Sequence, residues 1–362
     1  MKNNYAVILA GGRGERFWPQ SRVARPKHLL PIVGSEPMIV QTVARLAGLV
    51  PSGQIYILTN ADHVAAIQAA CPEIPAAQII GEPMGRDTAP AAALAALLVR
   101  RRDPDGVVAL LAADSAIHDA AGFRTTLGAA FATAATQDYI FTIGVPPKYA
   151  ATAYGYLLVG QKIGESNNQP WGKVDKFVEK PDRATAERYV KDGGYLWNAG
   201  MFVMRASILE AAFRQHAPDI AKGMKGLDEK LNQGAALAEA LAAVYPGLTK
   251  ISVDFAVMEK AGNVAVFAAA FDWDDVGEWP ALVRHAEADG AGNVTRGDTA
   301  LHEAHGNIVV GESGHLVALL GVDDLVVVQT PEATLVCPKS RAQELKKLLQ
   351  VVAAKKDGTR WL

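Results

Sequence analysis

Cysteine is almost missing from this 362-residue chain: only Cys71 and Cys337 occur, far apart in sequence. Two such residues make no disulfide framework and no cysteine metal site, so they read as reduced, buried thiols of a cytoplasmic protein. Charge of one sign is equally scarce. The 36 Lys and Arg nearly cancel the 38 Asp and Glu, leaving a formal net charge of −2. A general binder of nucleic acid carries a large positive excess, so no nucleic-acid partner is expected. Long apolar runs are missing too. The longest, "APAAALAALLV" (Ala89 to Val99), is too short to span a bilayer and reads as a buried helix, so no membrane partner is expected. No secretory signal is read, because "YAVILAGG" is followed by charged residues and by no small-residue cleavage site. Neither a Ser-His-Asp triad nor an H-E-x-x-H zinc motif is found.

What is present is alternation. The strand-like "YAVILA", "QIYILT", "AQIIG", "GVVALLAAD" and "YIFTIGV" take turns with helical runs such as "MIVQTVARLAGLV" and "FRTTLGAAFATAA". That order predicts an α/β fold with a parallel sheet covered on both faces, its ligands outside the carboxyl ends of the strands. A more mixed middle section follows, with "YGYLLVG", "KVDKFVEK" and "AGMFVMR" as strands. Beyond "WDDVGEWPALVRHAEA" the runs become short and β-rich, broken every few residues by Gly or Asp, as in a few coils of a β-helix. The boundaries read as a catalytic domain over 1–280, a linker helix over 281–292, and a β-helix-like domain with a terminal helix over 293–362.

Chemistry concentrates behind the first strand, in "LAGGRGERFWPQSRVARPKHLLPI" (Leu9 to Ile32), which holds three glycines, four arginines and a lysine. It is no dinucleotide fingerprint, for the third glycine of G-x-G-x-x-G is missing, and no P-loop, for no G-K-[ST] ends it. Glycines after a strand still let backbone N–H groups point at a phosphate, and Arg13, Arg16 and Lys27 can neutralise it. Alone, the loop fits a tight surface turn with solvated arginines about as well.

The longer pattern resembles the signature G-G-x-G-x-R-x-x-P-x-S-x-x-x-P-K of the sugar-1-phosphate nucleotidyltransferases. Its W-P-x-S-R variant is similar to that of the mannose-1-phosphate guanylyltransferases, in their short monofunctional form without the isomerase domain of longer relatives. The resemblance implies a Rossmann-like nucleotidyltransferase domain with a mostly parallel mixed sheet, plus a small C-terminal left-handed β-helix-like domain. It implies that Leu9, Ala10, Gly11, Gly12 and Gly14 bind the nucleotide, with Gly11, Gly12, Gly14 and Arg16 on the triphosphate of GTP. It also implies that Arg16 and Lys27 are catalytic, Lys27 touching both the nucleotide phosphate and the incoming sugar phosphate. "GEPMGRDTAPA" looks like the family's E-P-x-x-R-N-T-A-P-A, which makes Glu82, Pro83, Arg86, Asp87 and Thr88 nucleotide-binding. Thr88 reads as the cap of the following helix, and Asp87 stands where Asn is usual.

Asp114 ends the strand "VVALLAAD", a position suited to a magnesium ligand or to a simple helix cap. By resemblance Asp114 and Asp275 (in "DVGEW") bind Mg2+ or Mn2+, with Asp272 and Asp274 close by. Ser115 replaces the family's His. "YGYL", "FVEKP" and "WNAGMF" match family motifs in order, assigning Gly155, Glu179, Lys180 and Asn198 to the sugar phosphate, and Asp254 in the later "VDFAVMEK" bounds the sugar pocket. The implied reaction joins GTP and mannose 1-phosphate into GDP-mannose and diphosphate. Apart from the resemblance, apolar runs of the β-rich tail such as "LVALLGVDDLVVVQ" suggest a homodimer, and the cysteine usage a cytoplasmic one. Another nucleotide, a heptose 1-phosphate, or a catalytically silent binding module stays open at this point.

Overall fold

The computed structural model describes residues 3–362. They form two compact units interleaved along the chain, one of segments up to Gly11, Thr42–Ala113 and Ile117–Asp274, the other of Gly12–Gln41, Asp114–Ala116 and Asp275–Leu362.

The first unit begins with β1 (Asn4–Ala10), resumes at Thr42 within α1 (Met38–Arg45), and continues through β2 (Ile55–Asn60), α2 (Val64–Ala70), β3 (Ile79–Glu82) and α3 (Thr88–Arg102). Next come β4 (Val107–Ala112), α4 (Ala120–Ala134), β5 (Ile140–Val145) and the hairpin β6 (Tyr156–Ser166) and β7 (Gln169–Val178). α5 (Arg183–Asp192), β8 (Tyr195–Arg205), α6 (Ala206–His216), α7 (Pro218–Asn232), α8 (Leu237–Val244) and β9 (Val264–Ala268) complete it. The nine strands make one mixed sheet in the order β3-β2-β1-β4-β8-β5-β9-β7-β6. Pairing is parallel from β3 through β2 and β1 to β4, and again between β5 and β9. β8 slots between β4 and β5 running the other way. Asn167 and Asn168, both at positive φ, turn β6 into β7, as a two-residue hairpin requires.

β1 is apolar on both faces because it is covered on both: Ala6, Val7 and Ile8 are fully buried. The Ala-rich run is indeed a buried helix, α3, packed in the same core. Its cap differs from expectation. Asp87, not Thr88, holds the N-cap, its Oδ1 accepting from the Thr88 N–H at 2.8 Å. A carboxylate bound to the first free amide serves the helix dipole better than a hydroxyl.

In the second unit, β10 (Val294–Arg296), β12 (Ile308–Val310) and β14 (Leu325–Gln329) stack in parallel, and β15 (Thr334–Pro338) closes them antiparallel. β11 (Thr299–His302) and β13 (Val317–Leu320) pair in parallel as a second face. Such coils, each laid on the previous one, are β-helix-like. Buried asparagines tie the corners: Asn307 Nδ2 donates to Asn293 Oδ1 at 3.1 Å, and Asn307 Oδ1 accepts from the Leu325 N–H at 2.9 Å. Val294, Ile308 and Val326 share a core with Phe17, Leu30 and Trp279. α9 (Leu345–Ala353) follows.

The linker helix expected over 281–292 is not formed. A 3-10 helix covers Trp279–Arg284, and irregular chain then runs to β10. Pro280 starts that short helix, and the polar, Gly-containing "ADGAGN" cannot extend it. Cys71 is buried as expected and its thiol is pushed up to about 12 by burial, whereas Cys337 is half-buried.

Candidate active site

Within the second unit, the signature loop and the Asp114 and Asp275 segments converge on one ammonium group. Gly14 sits at φ 66°, and a Cβ there would collide with the Lys27 side chain, so this position admits glycine on two counts. The loop then winds into a short 3-10 turn, Glu15–Phe17. Phe17 anchors it, fully buried and edge-on to Trp279 at 5.0 Å between centroids. Arg16 lies in that turn with its Nε buried and no hydrogen-bond partner among the described residues. Buried donors are nearly always paired, so a missing anion is the simplest reading of this one.

Lys27 is 5% exposed. Its Nζ stands 2.8 Å from Asp114 Oδ2 and donates to the main-chain carbonyls of Asp275 at 2.8 Å and Asp114 at 3.1 Å. The Phe17 ring lies 5.5 Å below. Burying an ammonium costs several kcal/mol unless it is paired, and these oxygens provide the pairing. The Asp114 side chain stays 39% exposed, leaving carboxylate oxygen open to solvent. Val276, beside Asp275, is a buried β-branched residue at φ 46°, a conformation seldom kept without compensation. Asp114 caps no helix; the N-cap of α4 is Asp119. No group of three or more His, Cys, Asp or Glu exists among the described residues to make a protein-only metal cage. One or two exposed carboxylates suit a hard divalent cation that takes its remaining oxygens from phosphate and water. Asp272 is otherwise engaged, accepting from the His118 and Asp119 N–H groups at 3.0 and 2.8 Å.

Two clusters occupy the first unit. Leu9 and Ala10 end β1, and a Cβ on Gly11 would lie 3.8 Å from Glu82 Oε2. Glu82 is buried at the end of β3, and burial pushes its carboxyl up to about 7 against the opposing Tyr245 hydroxyl, which donates at 2.8 Å. Pro83 is exposed. Arg86 donates to the carbonyls of Tyr245 and Pro246, and Thr88 Oγ1 accepts from the Val253 N–H at 2.9 Å. Residues 245–253 thus pin the motif in place.

The other cluster gathers all five residues assigned to the sugar phosphate. A Cβ on Gly155 would come within 2.5 Å of Glu179 Oε2, so the glycine makes room for that carboxylate. Lys180 Nζ pairs with Glu179 Oε1 at 2.7 Å, and Lys180 itself adopts φ 49°. Asn198 donates from its backbone to the Gly155 carbonyl at 2.8 Å and from Nδ2 to Asp254 Oδ1 at 3.2 Å. Asp254 opens a single π-helical turn, Asp254–Met258. Burial and then the Glu179 charge raise its carboxyl to about 7. Burial lowers Lys180, but the Glu179 hydrogen bond and the carboxylates of Glu179, Asp254 and Asp87 outweigh it, leaving a net rise. The sequence gives no local sign of three supporting groups: Tyr245 on Glu82, Thr142 on Asn198 Oδ1 at 2.8 Å, and Glu259 on the Glu179 N–H at 2.9 Å. All are distant in the chain and ordinary in type.

A family model described as "Nucleotidyl transferase" matches residues 5–291. The chain belongs to the nucleotidyl transferase family. A second model, "MannoseP isomerase/GMP-like beta-helix domain", matches residues 298–352 of this transferase. Mannose-1-phosphate guanylyltransferase of Escherichia coli is 36% identical over 346 residues, covering 95% of this chain and 73% of its own. The alginate biosynthesis protein AlgA of Pseudomonas aeruginosa is 34% identical over 95% of this chain and 71% of its own. A Thermus thermophilus crystal structure described as mannose-1-phosphate geranyltransferase superposes with a TM-score of 0.85 at 34% identity, covering 97% of this transferase and 100% of that chain. Nucleotidyl transferases of this family generally work with a divalent metal ion.

Proposed function

We propose that this nucleotidyl transferase joins GTP and α-D-mannose 1-phosphate into GDP-mannose and diphosphate. Relatives named for that activity, 36–37% identical over nearly the whole chain, support the substrate pair. The observation that carries the chemistry is Lys27, a buried ammonium held by Asp114 and the Asp275 carbonyl.

A phosphate oxygen of the sugar phosphate attacks the α-phosphorus in line while diphosphate leaves. With a second pKa near ~6, that oxygen is largely ionised at neutral pH, so no general base is needed. The obstacle is repulsion: two unit charges at ~4 Å cost about 4 kcal/mol at an effective dielectric near ~20. Arg16 and Lys27 offset it on the nucleotide side, with the amides of Gly11, Gly12 and Gly14 cradling phosphate oxygens. Asp114 and Asp275 would hold Mg2+ or Mn2+, which when bound neutralises phosphate charge and orients the leaving group. Lys180 pairs with the sugar phosphate, while Glu179, Asn198 and Asp254 hold sugar hydroxyls. Glu82, Arg86, Asp87 and Thr88 position the nucleoside, with Pro83 shaping their loop.

We assign the catalytic domain to 1–280, followed by a connecting segment to 292 and a β-helix-like domain over 293–362. A cytoplasmic homodimer fits this reading, supported by the apolar exterior of the β-helix-like unit, where Leu320 is 71% exposed. No helix among the described residues is long and apolar enough to cross a membrane. Diphosphate release assayed with four nucleoside triphosphates against mannose, glucose and heptose 1-phosphates tests the substrates. GTP with mannose 1-phosphate is expected to give the highest kcat/KM; a higher value for another pair overturns the assignment.

A further inference from the structure

A cavity of about 460 Å3 lies wholly inside the second unit, walled by the later part of the signature loop and by the β-helix-like coils. Three guanidinium groups line it, from Arg22, Arg25 and Arg296, against the exposed carboxylates of Glu312 and Glu332. Arg22 and Arg296 are half-buried, while Arg25 is exposed. Arg22 and Arg25 exchange backbone hydrogen bonds, Arg22 N–H to the Arg25 carbonyl at 3.0 Å and the reverse at 3.1 Å. Partners in such an antiparallel pair send their side chains to the same side, and like charges there repel. Only Arg22 has a carboxylate, Glu332 at 3.1 Å; among the described residues none pairs with Arg25 or Arg296. Arg296 spends two of its N–H groups on the carbonyls of Pro31 and Ile32, at 2.6 and 3.1 Å, and burial depresses its pKa. Half-buried Arg296 and exposed Arg25, neither with a carboxylate partner, stand beside Arg22 in an arrangement that can receive a phosphate group.

The cavity is larger than inorganic phosphate needs and falls in the range of small-ligand sites. Gln20 offers an amide to hydroxyl groups, and Leu30 and Pro331 give the wall apolar area. We propose that this cavity binds a sugar phosphate as an effector, separate from the residues assigned to catalysis. Its route to turnover is short, because Arg25 lies two residues before Lys27 and Arg296 fastens the chain just beyond it. An anion bridging Arg22 and Arg25 would fix the hairpin that delivers Lys27.

Calorimetry needs no turnover and so tests the site independently of the proposed reaction. Glucose 6-phosphate is the probe, with inorganic phosphate and glucose as controls. Glucose 6-phosphate is expected to bind the full chain with a Kd below about 1 mM. Arg25→Glu, a change at an exposed position, should weaken it at least about tenfold, the scale of one lost charged contact. Asn198→Ala, in the sugar-phosphate cluster, should leave the affinity unchanged. Bound probe should also alter turnover of the wild-type enzyme and not of Arg25→Glu. Absence of binding, binding that survives Arg25→Glu, equal affinity for inorganic phosphate, or binding without effect on turnover would each overturn the proposal.

Discussion

At the scale of single residues, Lys27 carries the most. Its burial is tolerated only because Asp114 and two carbonyls surround it, and Gly14 has no side chain to occupy the same space. Lys27→Ala should lower kcat at least about a hundredfold, the range of one lost transition-state charge contact, with GTP affinity changed far less; steady-state kinetics on the purified variant checks this. Glu82 offers a pH signature. Its carboxyl keeps a proton up to about 7 in the folded chain, against 4.5 as the ordinary value. Between those limits the native state binds more protons than the unfolded one, so this group makes stability fall as pH rises and stop falling above about 7. The difference amounts to about 3 kcal/mol. Glu82→Gln should therefore gain on wild type in denaturant unfolding at pH 8 and lose that advantage near pH 4. A constant difference across the range would mean that Glu82 titrates normally.

At the scale of elements, the buried asparagine ladder holds successive coils of the β-helix-like unit in register. Asn307 bonds Asn293, the Val322 carbonyl and the Leu325 N–H. Asn307→Ala should cost about 2 kcal/mol, the scale of buried polar groups left unpaired, read as a lowered urea midpoint. Much of this architecture was legible in advance, since β1 through β5 and α3 announce themselves by buried apolar runs and helical spacing. The reversed β8 was not, because strand direction depends on where the β6–β7 hairpin delivers the chain and leaves no local trace. Nor was the broken linker: "WPALVRHAEA" has helical composition, but Pro280 and the following glycines confine it to one short 3-10 stretch. The candidate site divides similarly. Gly14, Lys27, Glu179 and Asn198 stand in ordered motifs, whereas Tyr245, Thr142 and Glu259 are brought to Glu82, Asn198 and Glu179 only by the fold.

At the scale of the whole molecule, the chemistry is a problem of charge. A chain with net charge −2 collects cations locally, at Arg16 and Lys27 and again at Lys180, the residues proposed to meet the phosphoesters. The most direct measurement follows label from GTP in the presence of mannose 1-phosphate. Label at the α-phosphorus should appear in GDP-mannose, and label at the γ-phosphorus in diphosphate, in equal molar amounts. Release of γ-label as inorganic phosphate, with no labelled nucleotide sugar, would contradict nucleotidyl transfer by this chain.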